Sequence, residues 1–122
     1  MYDIILYQDN SGSSELLEFI EDLDKKAATS KYERVMLKQI RFYINILELN
    51  GTRAGEPYVK HIQDDIWEIR PGNNRILFFT WIDNRVVLLH PFRKTTNKTP
   101  KSEIEKAQRE IIDWKGRNEN NE

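Results

Sequence analysis

Residues 66–98 read IWEIRPGNNRILFFTWIDNRVVLLHPFRKTTNK, and they predict three antiparallel strands followed by a basic segment. Pro71-Gly72-Asn73-Asn74 is typical of a four-residue turn, because proline and glycine favour the backbone angles that a chain reversal needs. Asp83-Asn84 predicts a two-residue hairpin loop, since both residues tolerate a positive φ. The two turns together set which residues face each other across the sheet.

Directly opposite residues of an antiparallel pair point to the same face. The first turn pairs Glu68 with Leu77, and the second pairs Leu77 with His90 and, farther along, Phe79 with Leu88. These registers gather five side chains at one end of one face: Glu68, Arg70, Arg75, His90 and Phe92. They give the other face an apolar set on which helices are expected to pack: Trp67, Ile69, Ile76, Phe78, Val87 and Leu89.

The length and charge of the chain limit the classes of function. With 122 residues, the chain is expected to form one domain over residues 1–122, with 117–122 as a frayed tail. The net charge is −1, so the molecule as a whole lacks the basic field of many nucleic-acid binders. The charge is uneven, however: residues 1–24 contain no Lys or Arg, and residues 85–101 contain no Asp or Glu. A site for a polyanion must therefore be local.

Several kinds of site are not expected. The chain has no cysteine, which excludes disulfides and Cys-based zinc sites and favours a cytoplasmic protein. With two histidines and no HExxH motif, we expect no metal and no other cofactor. No apolar run is long enough for a membrane span, and the N-terminus does not resemble a signal peptide.

The remaining segments predict three helices. Ser30 and Glu33 form a capping box, so a helix should begin there, and Asn50-Gly51 should end it. This helix is expected to bury Tyr32 and Val35. The other segments are a strand at 2–8, a helix at 15–27, a loop at 52–57, a strand at 58–62 and a last helix, with Thr99 as its N-cap and Pro100 as its first residue, that Gly116 ends. The order β-α-α-β-β-β-β-α predicts an α+β fold with the helices on one face of an antiparallel sheet.

The cluster on the other face suits a phosphodiester. Cleavage of RNA by its own 2′-OH needs a base, an acid and cations that stabilise the phosphorane. Arg70 and Arg75 suit the third role, because guanidinium groups match phosphate oxygens. Glu68 is either the base or the partner of an ion pair that holds the arginines. Lys94 adds a further cation at the same end.

Five other residues are candidates for RNA contact. Arg93 and Lys98 belong to a basic patch without acids, and Lys60 could reach a phosphate from the neighbouring strand. Phe92 either stacks on a base or packs in the core. His90 either takes part in RNA contact or is a hydrogen-bonded, half-buried histidine.

Three segments together resemble those of a known family. Residues 67–72 (WEIRPG), 75–77 (RIL) and 90–100 (HPFRKTTNKTP) resemble the phage-derived HigB-like branch of the RelE/ParE toxin superfamily. The element order is similar over nearly the whole chain. The resemblance implies a RelE-like fold and the toxin of a type II toxin–antitoxin pair.

The resemblance also implies an activity and partners. RelE-like members cut mRNA without a metal, usually on the ribosome, which predicts a metal-independent endoribonuclease that arrests translation and growth. A HigA-like antitoxin with a helix-turn-helix domain would neutralise it and carry any contact with operator DNA. The basic strand residues of the family fall on Arg70 and Arg75, with Glu68 beside them, and its last catalytic cation falls on Arg93 or Lys94. The tyrosine of some RelE members has no counterpart here.

Two alternatives stay open at this stage. One is a ParE-like toxin that inhibits DNA gyrase by binding and has no nuclease chemistry. The other is a non-catalytic remnant that only titrates an antitoxin. The antitoxin is expected either to cover Arg70, Arg75 and Lys94 or to dock on the N-terminal helices, and the acidic helix at 15–24 favours the second.

Overall fold

The computed structural model describes residues 1–119 of the chain. Its elements follow the predicted order, which confirms the α+β fold class. The strands and helices are β1 (Asp3–Leu6), α1 (Glu15–Ala27), α2 (Lys31–Asn50), β2 (Val59–Gln63), β3 (Ile66–Ile69), β4 (Asn74–Trp81), β5 (Arg85–Arg93) and α3 (Lys101–Asn118). A short 3-10 turn, Gly51–Ala54, lies in the segment expected to be a loop.

The five strands form one mixed sheet in the order β1-β5-β4-β3-β2. Strands β2 to β5 pair antiparallel, and only β1, which runs parallel to β5, differs from the antiparallel arrangement expected. Two helices and three strands separate β1 from β5 in sequence, so no tight hairpin dictates their relative direction.

Both predicted turns are present. Asp83 and Asn84 have φ values of 62° and 57°, but Trp81 faces Arg85, so this loop has three residues, 82–84, and the prediction of a two-residue loop was wrong. At the first turn, Gly72 has a φ of 62°, and the registers beside it are as predicted: Glu68 faces Leu77, and Leu77 faces His90.

A β-bulge changes the register in the far half of the β4–β5 pair. The shift lies between Leu77 and Phe78, so that Phe79 faces Val87 and not Leu88. The extra residue on β5 is Leu89, which has no partner directly opposite.

Four side chains of β5 therefore lie on the face opposite to the one predicted, and Val86 and Leu88 pack with Ile76 and Phe78 on the side of α1 and α2. Val87 and Leu89 lie in the core on the α3 side of the sheet, and the prediction that they lie beside Ile76 and Phe78 was wrong. The prediction assumed that side chains alternate regularly along the whole of β5. The bulge adds one residue, and a shift of one residue exchanges the two faces of a strand.

The helices lie on both faces of the sheet. α1 and α2 pack on one face and α3 packs on the other, so the expectation that all helices share one face was wrong. The sequence carries a signal for this arrangement in residues 76–79 of β4 (ILFF), which are consecutive apolar residues and all buried. A strand covered on both faces has this composition.

The ends of the helices differ in part from the predictions. The hydroxyl of Ser14 accepts a hydrogen bond from the Leu17 amide at 3.1 Å and caps α1. Tyr32 and Val35, predicted to be buried, are 52% and 46% exposed, because they lie at the edge of the buried stripe of α2. α3 continues through Gly116 to Asn118. Of the predicted tail, residues 120–122 lie outside the described part.

None of the helices within residues 1–119 combines the length and the apolar composition that a membrane span requires.

Candidate active site and nucleic-acid interface

Three charged side chains meet at one end of the sheet, on the face that α3 covers. The Glu68 side chain is 1% exposed, and its Oε2 accepts a hydrogen bond from Nε of Arg70 at 2.9 Å. The same oxygen lies 4.0 Å from Nε of Arg75. The structure therefore brings together the carboxylate and the two guanidinium groups that the predicted registers placed on one face. Two cations around one anion leave this cluster with an excess of positive charge.

The side chain of Arg75 is fixed in place. Only 7% of the residue is exposed, and its Nη1 donates to the carbonyls of Gly72 and Asn74 at 2.9 and 2.7 Å. Burial lowers the pKa of the Arg75 guanidinium, the charge of Arg70 lowers it further, and the carboxylate of Glu68 opposes both. The group stays cationic all the same. A bound anion would relieve the cost of holding this charge away from water.

The segment of residues 94–100 closes over the cluster. Its Thr99 hydroxyl donates to Oε1 of Glu68 at 2.9 Å, and Nη2 of Arg70 donates to the carbonyl of Asn97 at 3.4 Å. The enclosed space has no room for a water molecule. The cluster is therefore covered in this conformation. Sequence reasoning missed Thr99 and Asn97; the hydroxyl of Thr99 was an available signal, whereas Asn97 contributes a backbone carbonyl that its side chain does not indicate.

Lys94 and Lys98 lie where the predictions placed them. Both are exposed and line the covered space, together with Phe92. Phe92 is half-buried, and its ring centroid lies 6.3 Å from that of His90. Its side chain therefore forms a wall of the site and also packs on buried residues, so both predicted roles are compatible with its position.

Lys60 lies next to this site. It faces Glu68 directly across the β2–β3 pair, and with Lys98 it lines a hollow of about 170 Å³. A wider groove of about 740 Å³ continues from Lys98 between the covering segment and the first turns of α3. Cations thus border a continuous path along this side of the molecule.

His90 does not reach this surface. Its ring is fully buried; Nδ1 is hydrogen-bonded to Glu110 and Nε2 to Glu103, the latter at 2.9 Å. Both glutamates belong to α3, so the histidine joins β5 to that helix. His90 is therefore not a candidate for RNA contact. It is the hydrogen-bonded histidine of the second alternative, but its ring is fully buried and not half-buried as expected.

Arg93 points to the opposite face of the sheet. It pairs with Asn74, which alternates with Arg75 along β4, and its Nη2 donates to the Tyr32 hydroxyl at 2.6 Å. The structure therefore does not bring Arg93 together with the arginine cluster. Of the two positions on which the last catalytic cation of the family falls, only Lys94 lines the cluster.

Within residues 1–119, no group of three or more His, Asp or Glu side chains is arranged to hold a metal ion. His90, Glu103 and Glu110 are bonded to one another and form no such site. The groups that the site offers for chemistry are two fixed guanidinium cations, one buried carboxylate and exposed lysines.

Two solved structures share this fold. One is the archaeal RelE-RelB complex from Pyrococcus horikoshii OT3, in which the matching chain is 14% identical with a TM-score of 0.51; the match covers 77% of this chain and 96% of that one. The other is the YoeB-YefM complex from Staphylococcus aureus, at 15% identity and a TM-score of 0.50, covering 75% and 94%. At these identities the likeness concerns the fold, and the predicted RelE-like fold is confirmed.

Among curated proteins, no sequence matches this chain. The family described as "Phage derived protein Gp49-like (DUF891)" matches residues 18–111, which include all of β2 to β5 and most of α1 and α3. The family model covers more than half of the chain, and the chain therefore belongs to the phage-derived Gp49-like family.

Proposed function

We propose that this protein is the toxin of a type II toxin–antitoxin pair and that it cleaves mRNA on the ribosome without a metal ion. The observation that carries the proposal is the buried cluster of Glu68, Arg70 and Arg75, with its excess of positive charge at the end of a rigid sheet. The fold shared with RelE and YoeB chains supports it.

The reaction is a transfer within the RNA itself. The 2′-oxygen attacks the adjacent phosphorus, the bond from phosphorus to the 5′-oxygen breaks, and the products carry a 2′,3′-cyclic phosphate and a 5′-hydroxyl. Negative charge on the phosphoryl oxygens is greatest in the transition state. Arg75, held by two carbonyls, and Arg70, held by Glu68, can meet this charge without reorganising.

Two further side chains would move the protons. Oε2 of Glu68 accepts from Arg70 and lies 4.0 Å from Nε of Arg75, whereas Oε1, among residues 1–119, accepts only from the Thr99 hydroxyl. When that hydroxyl leaves, Oε1 is free to accept the proton of the 2′-OH. The Lys94 ammonium lies on the exposed side of the cluster, where it can donate a proton to the departing 5′-oxygen.

RNA can reach the cluster only if the segment of residues 94–100 moves. This segment is held over the cluster by the bonds from Thr99 and to Asn97, and its side chains at 94–98 are exposed. Lys60, Lys98 and the adjoining groove would guide the RNA backbone toward the opening.

The partner in this proposal is an antitoxin with a helix-turn-helix domain. The RelE and YoeB chains with this fold were crystallised in complexes with RelB and YefM. Contact with operator DNA would come through the antitoxin, since the net charge of this chain is −1.

The proposal is tested by cleavage of mRNA in a ribosome-containing reaction with purified protein. Arg75→Ala should lower the cleavage rate about 10²- to 10³-fold, because a fixed donor acts mainly in the transition state. Arg75→Lys should recover only part of the rate, since a point charge cannot bridge two oxygens. Arg53→Ala, which removes an exposed arginine from the 3-10 turn, is the matched control. A folded Arg75→Ala protein that cleaves at the wild-type rate would refute the assignment.

A further inference from the structure

An apolar crevice lies on the face of the sheet opposite to the arginine cluster. It has a volume of about 290 Å³ and opens between α1, α2 and the ends of β4 and β5. Its apolar walls are the side chains of Phe19, Leu23, Met36 and Pro91. Tyr32 and Val35 continue this surface outward, and about half of each is exposed. Apolar surface of this extent at a concave site is typical of a binding surface.

The crevice contains a buried hydrogen-bond donor without a partner. Asn74 is 4% exposed and lines the crevice, and its Nδ2 has no hydrogen-bond partner in the described structure. A buried donor left unpaired costs free energy, so native structures rarely keep one without a reason. An acceptor oxygen entering the crevice would supply the missing bond.

A cation stands beside this donor. Arg93 faces Asn74 directly across the β4–β5 pair, and such neighbours lie on the same face of the sheet. Its guanidinium is bonded to the neutral Tyr32 hydroxyl, and within residues 1–119 it has no carboxylate partner. The two side chains therefore offer adjacent donors, one of them charged, to one acceptor group. A carboxylate is the acceptor that suits both.

We propose that this crevice binds a segment of the antitoxin in which a bulky apolar side chain is followed by a carboxylate. The apolar side chain fills the crevice, and the carboxylate accepts from Nδ2 of Asn74 and from the Arg93 guanidinium. This inference rests on the proposed function, since it assigns the contact surface of the partner named there. It also places the partner on the side of the sheet away from Arg70 and Arg75.

The charges around the crevice favour a protein segment over RNA. The rim carries the carboxylates of Asp22 and Glu33 and the ammonium of Lys26, and α1 has further exposed acids at Glu18 and Glu21. A polyphosphate chain would be repelled by them. A single carboxylate meets less repulsion, because it carries one charge, Asp22 is paired with Lys26 at 2.9 Å, and the Arg93 guanidinium supplies a cation that is bonded to the neutral Tyr32 hydroxyl.

The test uses Asn74→Asp, which preserves the size of the side chain and replaces the donor by an acceptor. Asn73→Asp makes the same chemical change one residue earlier, at an exposed position, and is the matched control. Arg93→Gln is a second variant at an exposed side chain, where loss of folding is not a concern. The probe is the purified helix-turn-helix protein encoded by the neighbouring reading frame, titrated into each full-length variant by calorimetry.

We expect Asn74→Asp and Arg93→Gln each to weaken binding at least about tenfold, because each removes a bond to a charged group or adds repulsion. Asn73→Asp should bind within about twofold of wild type, as rim substitutions usually do. mRNA cleavage by free Arg93→Gln protein should stay at the wild-type rate, because this side chain lies on the face away from the arginine cluster. The Asn74 side-chain amide signal in NMR should shift in the complex, while that of Asn73 should not.

Wild-type affinity in both variants would overturn the inference and leave the proposed function intact. Loss of mRNA binding in Asn74→Asp with unchanged antitoxin affinity would also overturn it, in favour of RNA as the occupant. A wild-type protein that cleaves mRNA but does not bind the neighbouring protein would refute the antitoxin part of the proposed function, and this inference with it.

Discussion

Replacing Glu68 by glutamine should destabilise the fold measurably, because it removes the negative charge that Arg70 and Arg75 share. The substitution leaves no cavity, since the two side chains are almost the same size. Arg75 is 7% exposed and cannot turn into water, whereas 26% of the Arg70 side chain is already exposed. The loss should therefore come chiefly from Arg75 and from repulsion between the two guanidinium groups.

The magnitude follows from these exposures. A hydrogen bond to a charged group contributes about 1.5–3 kcal/mol, and breaking a fully buried ion pair costs about 3–5 kcal/mol. Because Arg70 can relax into water, we expect a loss of about 2–3 kcal/mol in the free energy of unfolding. For 122 residues, an unfolding entropy of about 2.1 cal/mol/K per residue converts this loss into a fall in Tm of roughly 8–12 °C.

Thermal unfolding at pH 7, followed by circular dichroism, measures this effect. Glu105→Gln removes the same charge from an exposed position on α3 and should change the Tm by no more than about 2 °C. If Glu68→Gln melts within that margin of wild type, the arginines do not depend on this carboxylate, and the account of the cluster is refuted.

The other predictions concern the histidine, a tyrosine and the basic path. His90→Leu should cost about 2–4 kcal/mol of stability, because it leaves the buried Glu110 carboxylate without this partner; cleavage per folded molecule should not change. Burial and the hydrogen bond to Asp113 raise the pKa of Tyr7 to about 12 from its usual 10.0. This contribution to stability is fully present below pH 10 and is lost as the pH rises through 12, and denaturant titrations of Tyr7→Phe should lack this loss. Lys98→Ala should lower the slope of log binding constant against log salt concentration by about 0.7, which is the contribution of one phosphate contact to a single strand. Fluorescence anisotropy with labelled RNA measures this slope.

What the sequence predicted well was encoded locally. The positive φ values of Asp83 and Asn84 and the glycine at position 72 fix two turns. The first turn sets the pairing of β3 with β4, and this was enough to place Glu68 beside the arginines. The start of α2 after Ser30 was also predicted, but the reason given was wrong: the Ser30 hydroxyl donates to the Glu33 carboxylate and caps no backbone amide of the helix.

What the sequence did not predict depends on contacts between distant segments. A bulge at Leu89 has no signature in a run of apolar residues, so the faces of Val87 and Leu89 were exchanged. The partners of His90 come from α3, 13 and 20 residues farther along the chain, and no periodicity in β5 points to them.

The covering of the site was missed for the same reason. Thr99 bonds a carboxylate 31 residues away, and only the folded chain brings them together. Arg93 and Lys94 are neighbours in sequence and similar in charge, yet a strand sends successive side chains to opposite faces. The register of β5 at its end therefore separates Lys94, at the arginine cluster, from Arg93, at the crevice.

The most direct test of the central claim is primer extension on cellular transcripts after the protein is induced without its antitoxin. The account predicts new 5′ ends within translated codons, and their absence when the Arg75→Ala protein is induced at the same level. Intact transcripts, with growth arrest accompanied by stalled DNA gyrase, would contradict the account and favour the gyrase-inhibiting alternative.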